Sequence, residues 1–131
     1  MCKTIKQKVK FKAPPLEVYK LLADSKVHSK FSGEAANISR KVGGKFSTDA
    51  KSISGIIVDL VPGKRLVQAW RAKNFPVGIF SMATFNLEKS GDDETQLTLT
   101  HRGVPKDLIP TIESSWRENW RKMKSYLESH R

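Results

Sequence analysis

Two hydrophobic periods divide this chain. From Leu108 to His130, Ile112, Trp116, Trp120, Met123 and Leu127 recur at steps of four, four, three and four. That spacing puts five large apolar side chains on one face of a helix. Between Ala35 and Val104 the pattern shortens to the alternation expected of strands. The N-terminus alternates as well: Lys6, Lys8, Lys10 and Lys12 are interleaved with Gln7, Val9 and Phe11, which predicts a strand over about Thr4–Phe11 with a lysine face toward water.

Ala13-Pro14-Pro15 ends that strand, since proline cannot continue the ladder but suits the first turn of a helix. A short helix is expected from about Pro15 to Ala23, with Val18, Leu21 and Leu22 on its apolar side and Leu16 and Tyr19 beside them. Asp24 or Ser25 can cap a second short helix through about Phe31, and Ser32-Gly33 stops it. Strands are then expected at Ala35–Arg40, Lys45–Asp49, Ser52–Val61, Arg65–Ala72, Phe80–Lys89 and Thr95–Gly103. Gly43-Gly44 and Pro62-Gly63 read as turns, and Ser90-Gly91-Asp92-Asp93 as the centre of a hairpin. Gly55, inside a strand, marks a bulge or sharp bend. The last helix is expected to start near Asp107 as N-cap, with Pro110 in its first turn. At 1.5 Å per residue it would be roughly 30–35 Å long, enough to cross a sheet.

The order predicts an α+β helix-grip fold. A curved antiparallel seven-stranded sheet wraps around the long C-terminal helix, and two short helices lie between strands one and two. A single helix cannot fill the whole concave face of such a sheet, so a hydrophobic cavity is expected. Its lining is expected from Trp70, Phe75, Phe80, Met82, Phe85, Leu99 and His101 on the sheet side, and from Trp116, Trp120 and Met123 on the helix. The inward strand parity stays open, because Phe80 and Met82 alternate against Phe85. Helix packing alone also accounts for both tryptophans of the stripe, and the two roles are compatible.

The 131 residues are expected to form a single domain, residues 1–131. Lysine and arginine total 24 against 13 acids, for a net charge of +11, which favours anionic partners. The lysine face of strand one reads either as protection of a sheet edge or as an anion-binding patch. Lys6, Lys8 and Lys10, with Arg117, Arg121 and Lys124, form the candidate basic docking face. Lys122 and Arg131 add to the charge of the last helix, but Glu113, Glu118 and Glu128 interrupt it, and no nucleic-acid motif accompanies it. Nucleic acid is therefore not the expected partner. The lone Cys2 cannot form an internal disulfide, no run approaches membrane-span length, and no signal peptide is evident. A soluble, cytoplasmic monomer is expected.

No catalytic, metal or cofactor constellation is expected either. His28, His101 and His130 lie far apart, with no ligand at metal-site spacing. His101 falls on an inward strand set with Leu97 and Leu99. There it fits a hydrogen-bonded core role, and also an acid, base or ligand contact within a pocket. No phosphate-binding glycine loop is present, and Cys2 has no adjacent base.

Several segments taken in order resemble a known family. Gly43-Gly44-Lys45-Phe46, Ile53-Ser54-Gly55, Asp59-Leu60-Val61-Pro62 and Trp70-Arg71 carry the resemblance. So do Phe75-Pro76-Val77-Gly78, Arg102-Gly103-Val104-Pro105, the Trp116-to-Trp120 spacing, and Ala13-Pro14-Pro15 followed by Val18-Tyr19. Together they resemble the C-terminal domain of the activator of heat-shock protein 90 ATPase, within the START-like, birch-pollen-allergen-like superfamily, over nearly the whole chain. One departure is Ser115, where many relatives have glycine. The resemblance implies the helix-grip fold and a non-enzymatic, co-chaperone-like role in contact with heat-shock protein 90. It implies as an alternative the binding or transport of a small hydrophobic, lipid- or polyketide-like ligand. In the eukaryotic activator a separate N-terminal domain contributes most to engaging the chaperone, and these residues are expected to hold the C-terminal-type domain alone.

Overall fold

The computed structural model describes residues 2–130, with the side chains of residues 3–130. Arg131 and the Cys2 side chain lie outside the described residues. Strand β1 (Cys2–Phe11) is followed by helices α1 (Pro15–Ala23) and α2 (Ser25–Ser32). Strands β2 (Asn37–Ile38), β3 (Lys45–Thr48), β4 (Ile53–Val61), β5 (Arg65–Ala72), β6 (Ser81–Gly91) and β7 (Glu94–Pro105) come next. A 3-10 turn (Lys106–Leu108) leads into the long helix α3 (Ile109–Ser129). The strands form one antiparallel seven-stranded sheet in the order β1-β7-β6-β5-β4-β3-β2.

Local chemistry accounts for the helix ends. The Asp24 carboxylate accepts from the backbone N–H of Lys26 and Val27, so it caps α2 and is held below its ordinary pKa by those bonds and by Arg40. Gly33 ends α2 at φ 77°, a left-handed conformation that glycine adopts without steric cost. The start of α3 differs from expectation. Asp107 lies in the 3-10 turn, and Leu108 at the N-cap makes no side-chain cap bond. The chain leaves β7 at Pro105 and tightens into that turn before the helix begins. Arg121 pairs with Glu118 one turn back on α3.

The register settles the parity left open by the sequence. On β6, Ser81, Ala83, Phe85 and Leu87 are buried, while Met82 is exposed between Ala69 and Arg102 on the outer face. On β5 the inward set is Leu66, Gln68, Trp70 and Ala72, and on β7 it includes Leu97, Leu99 and His101. From α3, Ile112, Trp116, Trp120 and Met123 pack against this face. The sheet bends at β4, but not as expected. The extra residue is Val58, at a register shift between Ile57 and Asp59. Gly55 serves close approach instead: a β-carbon there would run into the Ala69 carbonyl oxygen and the Phe46 ring.

Candidate functional site

Helix α3 is fastened to the sheet through its two indoles. Trp116 and Trp120 stack on each other at 5.3 Å between centroids, and Phe85 meets both rings edge-on. The Trp120 Nε1–H donates to Gln7 Oε1 at 2.7 Å, while Gln7 Nε2 donates to the Glu113 carbonyl at 3.2 Å. Gln7 is thus the polar member of an inward β1 set that also holds Ile5, Val9 and Phe11.

The second fastening fixes the state of His101. Trp116 Nε1–H lies 3.0 Å from His101 Nδ1, and an indole nitrogen can only donate. Nδ1 therefore accepts and carries no proton, so the neutral ring carries its proton on Nε2. That proton is donated to Ser81 Oγ at 2.6 Å, and the Ser81 hydroxyl donates to the Trp70 carbonyl at 3.1 Å. Burial drives the His101 pKa down from 6.5 to about 4. Protonation at Nδ1 would also oppose the Trp116 N–H. Ser81 and His101 thus do not form a nucleophile and base, because Nε2 already carries a proton and the serine proton is engaged by a carbonyl.

Between the sheet, the N-terminal half of α3 and the β3–β4 turn lies a cavity of about 640 Å³. Its aromatic wall is Trp70, Phe85, Trp116 and Phe46, with Ile112 and Leu22 beside them. Its polar groups are Gln68 on the sheet, His28 on α2, Thr111, Ser115 and Asn119 on α3, and Thr48, Asp49, Ser52, Lys73 and Asn74 around the rim. His28 Nδ1 donates to the Leu21 carbonyl at 2.9 Å, and burial lowers the pKa of the ring. The rim turn is strained, with Asp49, Ala50 and Lys51 at φ 51°, 54° and 76°. Each residue there bears a β-carbon in a region that disfavours one. Ala50→Gly is expected to raise stability by about 1 kcal/mol, read as a higher urea midpoint at unchanged m-value.

The ten residues expected at the cavity separate into three groups. Trp70, Phe85 and Trp116 line it. Phe75, Leu99, His101, Trp120 and Met123 are buried in the core but are not on its wall. Phe75 packs on Trp70, Trp120 and His101 are tied up in hydrogen bonds, and Leu99 and Met123 are enclosed. Phe80 and Met82 correct the expectation outright, since both are exposed, at 50% and 38%. Met82 has the outward parity of β6. Phe80 precedes that strand, where Arg71 gathers the carbonyls of Phe75, Pro76 and Ile79 and Phe75 turns inward against Trp70. Sequence spacing does not single out Gln7, Gln68, His28 or Ser81. For Gln7 and Gln68 the signal was a lone amide in an otherwise apolar inward alternation.

The expected basic residues Lys6, Lys8, Lys10, Arg117, Arg121 and Lys124 are all exposed. Lys8, Arg117, Arg121 and Lys124 border one groove between the β1 edge and α3, together with Gln7, Val9 and Trp120. Lys10 and Lys124 border the next depression along the seam. Among the described residues, no helix is long and apolar enough to cross a membrane, and no cluster of three or more His, Cys, Asp or Glu could hold a metal ion.

Comparison with known proteins gives concordant results. Residues 12–128 match the family model described as activator of Hsp90 ATPase homolog 1-like protein. The Dictyostelium discoideum activator of 90 kDa heat shock protein ATPase homolog is 30% identical over 117 residues, which is 89% of this chain and 30% of that protein. The human activator homolog 1 is 33% identical over 117 residues, which is 88% of this chain and 34% of that protein. The chain thus spans about a third of the length of these relatives. The crystal structure of an HSP90 activator from Plasmodium falciparum superposes with a TM-score of 0.74 at 25% identity, covering 78% of this chain and 74% of that one.

Proposed function

The chain belongs to the activator of Hsp90 ATPase homolog 1-like family, and on that premise we propose that it is a co-chaperone-like binding module that contacts a 90 kDa heat shock protein and stimulates its ATPase. The observation that carries this reading is the cationic seam between β1 and α3. There Lys8, Arg117, Arg121 and Lys124 surround a groove floored in part by Val9 and Trp120. Such a groove complements an acidic surface with a small apolar projection. Action by binding rather than catalysis is supported by the closed His101–Ser81 network, which leaves neither group available as base or nucleophile. The reading takes the chain as a monomeric, cytosolic domain that needs no cofactor.

The test is titration of isotope-labelled chain with the purified chaperone, alongside the chaperone's ATPase rate. Resonance shifts should cluster on β1 and α3, and the rate should rise. Lys8→Glu combined with Lys124→Glu should weaken binding about tenfold at low salt and less at high salt, since exposed charges are screened. Both positions are exposed, so stability should stay within about 0.5 kcal/mol. Absence of shifts at high concentration and low salt would rule the reading out.

A second reading is favoured by the cavity of about 640 Å³ walled by Trp70, Phe85 and Trp116. Its size and aromatic wall suit a small, largely apolar molecule.

A further inference from the structure

Two polar side chains of the cavity keep hydrogen-bonding atoms that the fold leaves unpaired. Gln68 is only 5% exposed and His28 only 8%. The Gln68 carboxamide has no hydrogen-bond partner among the described residues. His28 donates from Nδ1 to the Leu21 carbonyl, so its neutral ring leaves the Nε2 lone pair unmatched. Every fully enclosed side-chain nitrogen and oxygen among the described residues has a partner. The free atoms of Gln68 and His28 are therefore not fully enclosed, and both residues line the cavity. Elsewhere on the concave face, polar side chains are tied up: Gln7, Ser81, Thr95 and His101 all bond to named partners. A buried amide left open inside an aromatic chamber is costly unless something hydrogen-bonds to it.

We propose that this cavity selects a neutral, hydroxylated aromatic molecule, its ring system against Trp70, Phe85 and Trp116 and its hydroxyls bonded to Gln68 and His28. The proposal rests on the cavity reading and is independent of chaperone contact. The donor and acceptor pattern sets the class. His28 Nε2 can only accept, so the ligand must bring a donor. Gln68 offers both N–H and C=O, so a hydroxyl satisfies either side. Asp49 at the rim adds another acceptor. A hydroxyl serves all three, whereas a carboxylate would face the Asp49 carboxylate and the His28 lone pair, with Lys73 on the rim as the one lysine or arginine of the lining to pair with it. A plain hydrocarbon would fill the chamber and leave Gln68 and His28 unmatched. A site with groups placed for a hydroxyl discriminates against the analogue that lacks it.

The experiment compares three probes of one ring size: a naphthalenediol, the dimethylnaphthalene of the same substitution pattern, and a naphthoic acid. Binding is followed by nuclear magnetic resonance shifts at Trp70 and Trp116 and by calorimetry. The diol should bind at least about tenfold more tightly than either of the others, the effect of about 1.4 kcal/mol of hydrogen bonding. Gln68→Leu should cut the diol's advantage over the dimethyl compound to about threefold, the share left to His28. Equal binding of diol and dimethyl compound would overturn the hydroxyl selection while leaving an apolar cavity site standing. Preference for the acid would overturn the neutral class. Failure of all three to shift either indole would overturn the cavity reading itself. The wild-type comparison decides the matter even if Gln68→Leu does not fold.

Discussion

Trp116→Ala is expected to lower the stability of the fold by about 4 kcal/mol, within the range for deleting a buried indole. The side chain is 8% exposed and stacks on Trp120, tilts against Trp70 and meets Phe85 edge-on. Its loss removes aromatic contact on three sides and takes the donor from His101 Nδ1. The second loss leaves a buried acceptor unsatisfied, which by itself costs about 1–3 kcal/mol. Trp116→Phe weighs the second contribution more heavily, because it keeps one aromatic ring in the packing while deleting the N–H with the rest of the indole. It should cost about 1–3 kcal/mol. Urea unfolding followed by far-ultraviolet circular dichroism measures both variants. If the alanine variant cost less than about 1 kcal/mol, α3 would not be fastened to the sheet as described.

Acidification should destabilise the protein well above the carboxylate range, with His101 as the main cause. Its folded pKa is about 4 against an ordinary 6.5. Above the ordinary value neither state binds the proton, and His101 makes no pH-dependent difference. As pH falls through the interval, the unfolded chain takes up a proton that the folded state refuses, so stability drops. By linkage the loss from His101 alone is about 2 kcal/mol at pH 5 and levels off near about 3 kcal/mol below the folded pKa. His28 is lowered by burial as well and adds loss of the same sign. The lowered carboxyl of Asp24 has the opposite sense: its stabilisation is present above the ordinary 3.8 and is lost only below it, outside this window. Urea midpoints at pH 7 and about pH 5 should therefore differ clearly, and His101→Gln should flatten much of the difference. Nitrogen chemical shifts of the ring read the tautomer directly. A His101 that titrates near 6.5, or carries its neutral proton on Nδ1, would refute the Trp116–His101–Ser81 chain.

The two predictions concern residues that the sequence exposed to different degrees. The stripe from Ile112 to Met123 was legible because helical periodicity is a local property: four buried residues at that spacing can face only one way. The hairpin turning at Asp92-Asp93 and the cap at Asp24 were legible for the same reason, since their signals lie within a few residues. Strand alternation leaves the inward face undecided, so it does not place Met82 and Phe80 on the outside, where the structure has them. A shift of one residue exchanges the two faces, and cross-strand pairing of Met82 with Ala69 and Arg102 makes the choice. Asp107 suits a helix start by its residue type, but it falls in a 3-10 turn, which carries the same local signals as the first turn of an α-helix.

The candidate site divides the same way. Its aromatic wall was partly legible, as large apolar residues on a strand and a helix predicted to face each other. Its chemistry was not. Gln68, His28 and Asp49 come from β5, α2 and the β3–β4 turn, and sequence spacing says nothing of their meeting. His101 and Ser81 stand twenty residues apart on paired strands, joined to Trp116 on a third element. By itself, the sequence determined which segments are helix and strand, that one helix must cover one sheet, and that the surface is strongly basic, because each follows from local period or summed charge. Only the tertiary structure decided which strand face looks inward, which polar groups are satisfied and which stay open in the cavity, because each depends on neighbours distant in the chain.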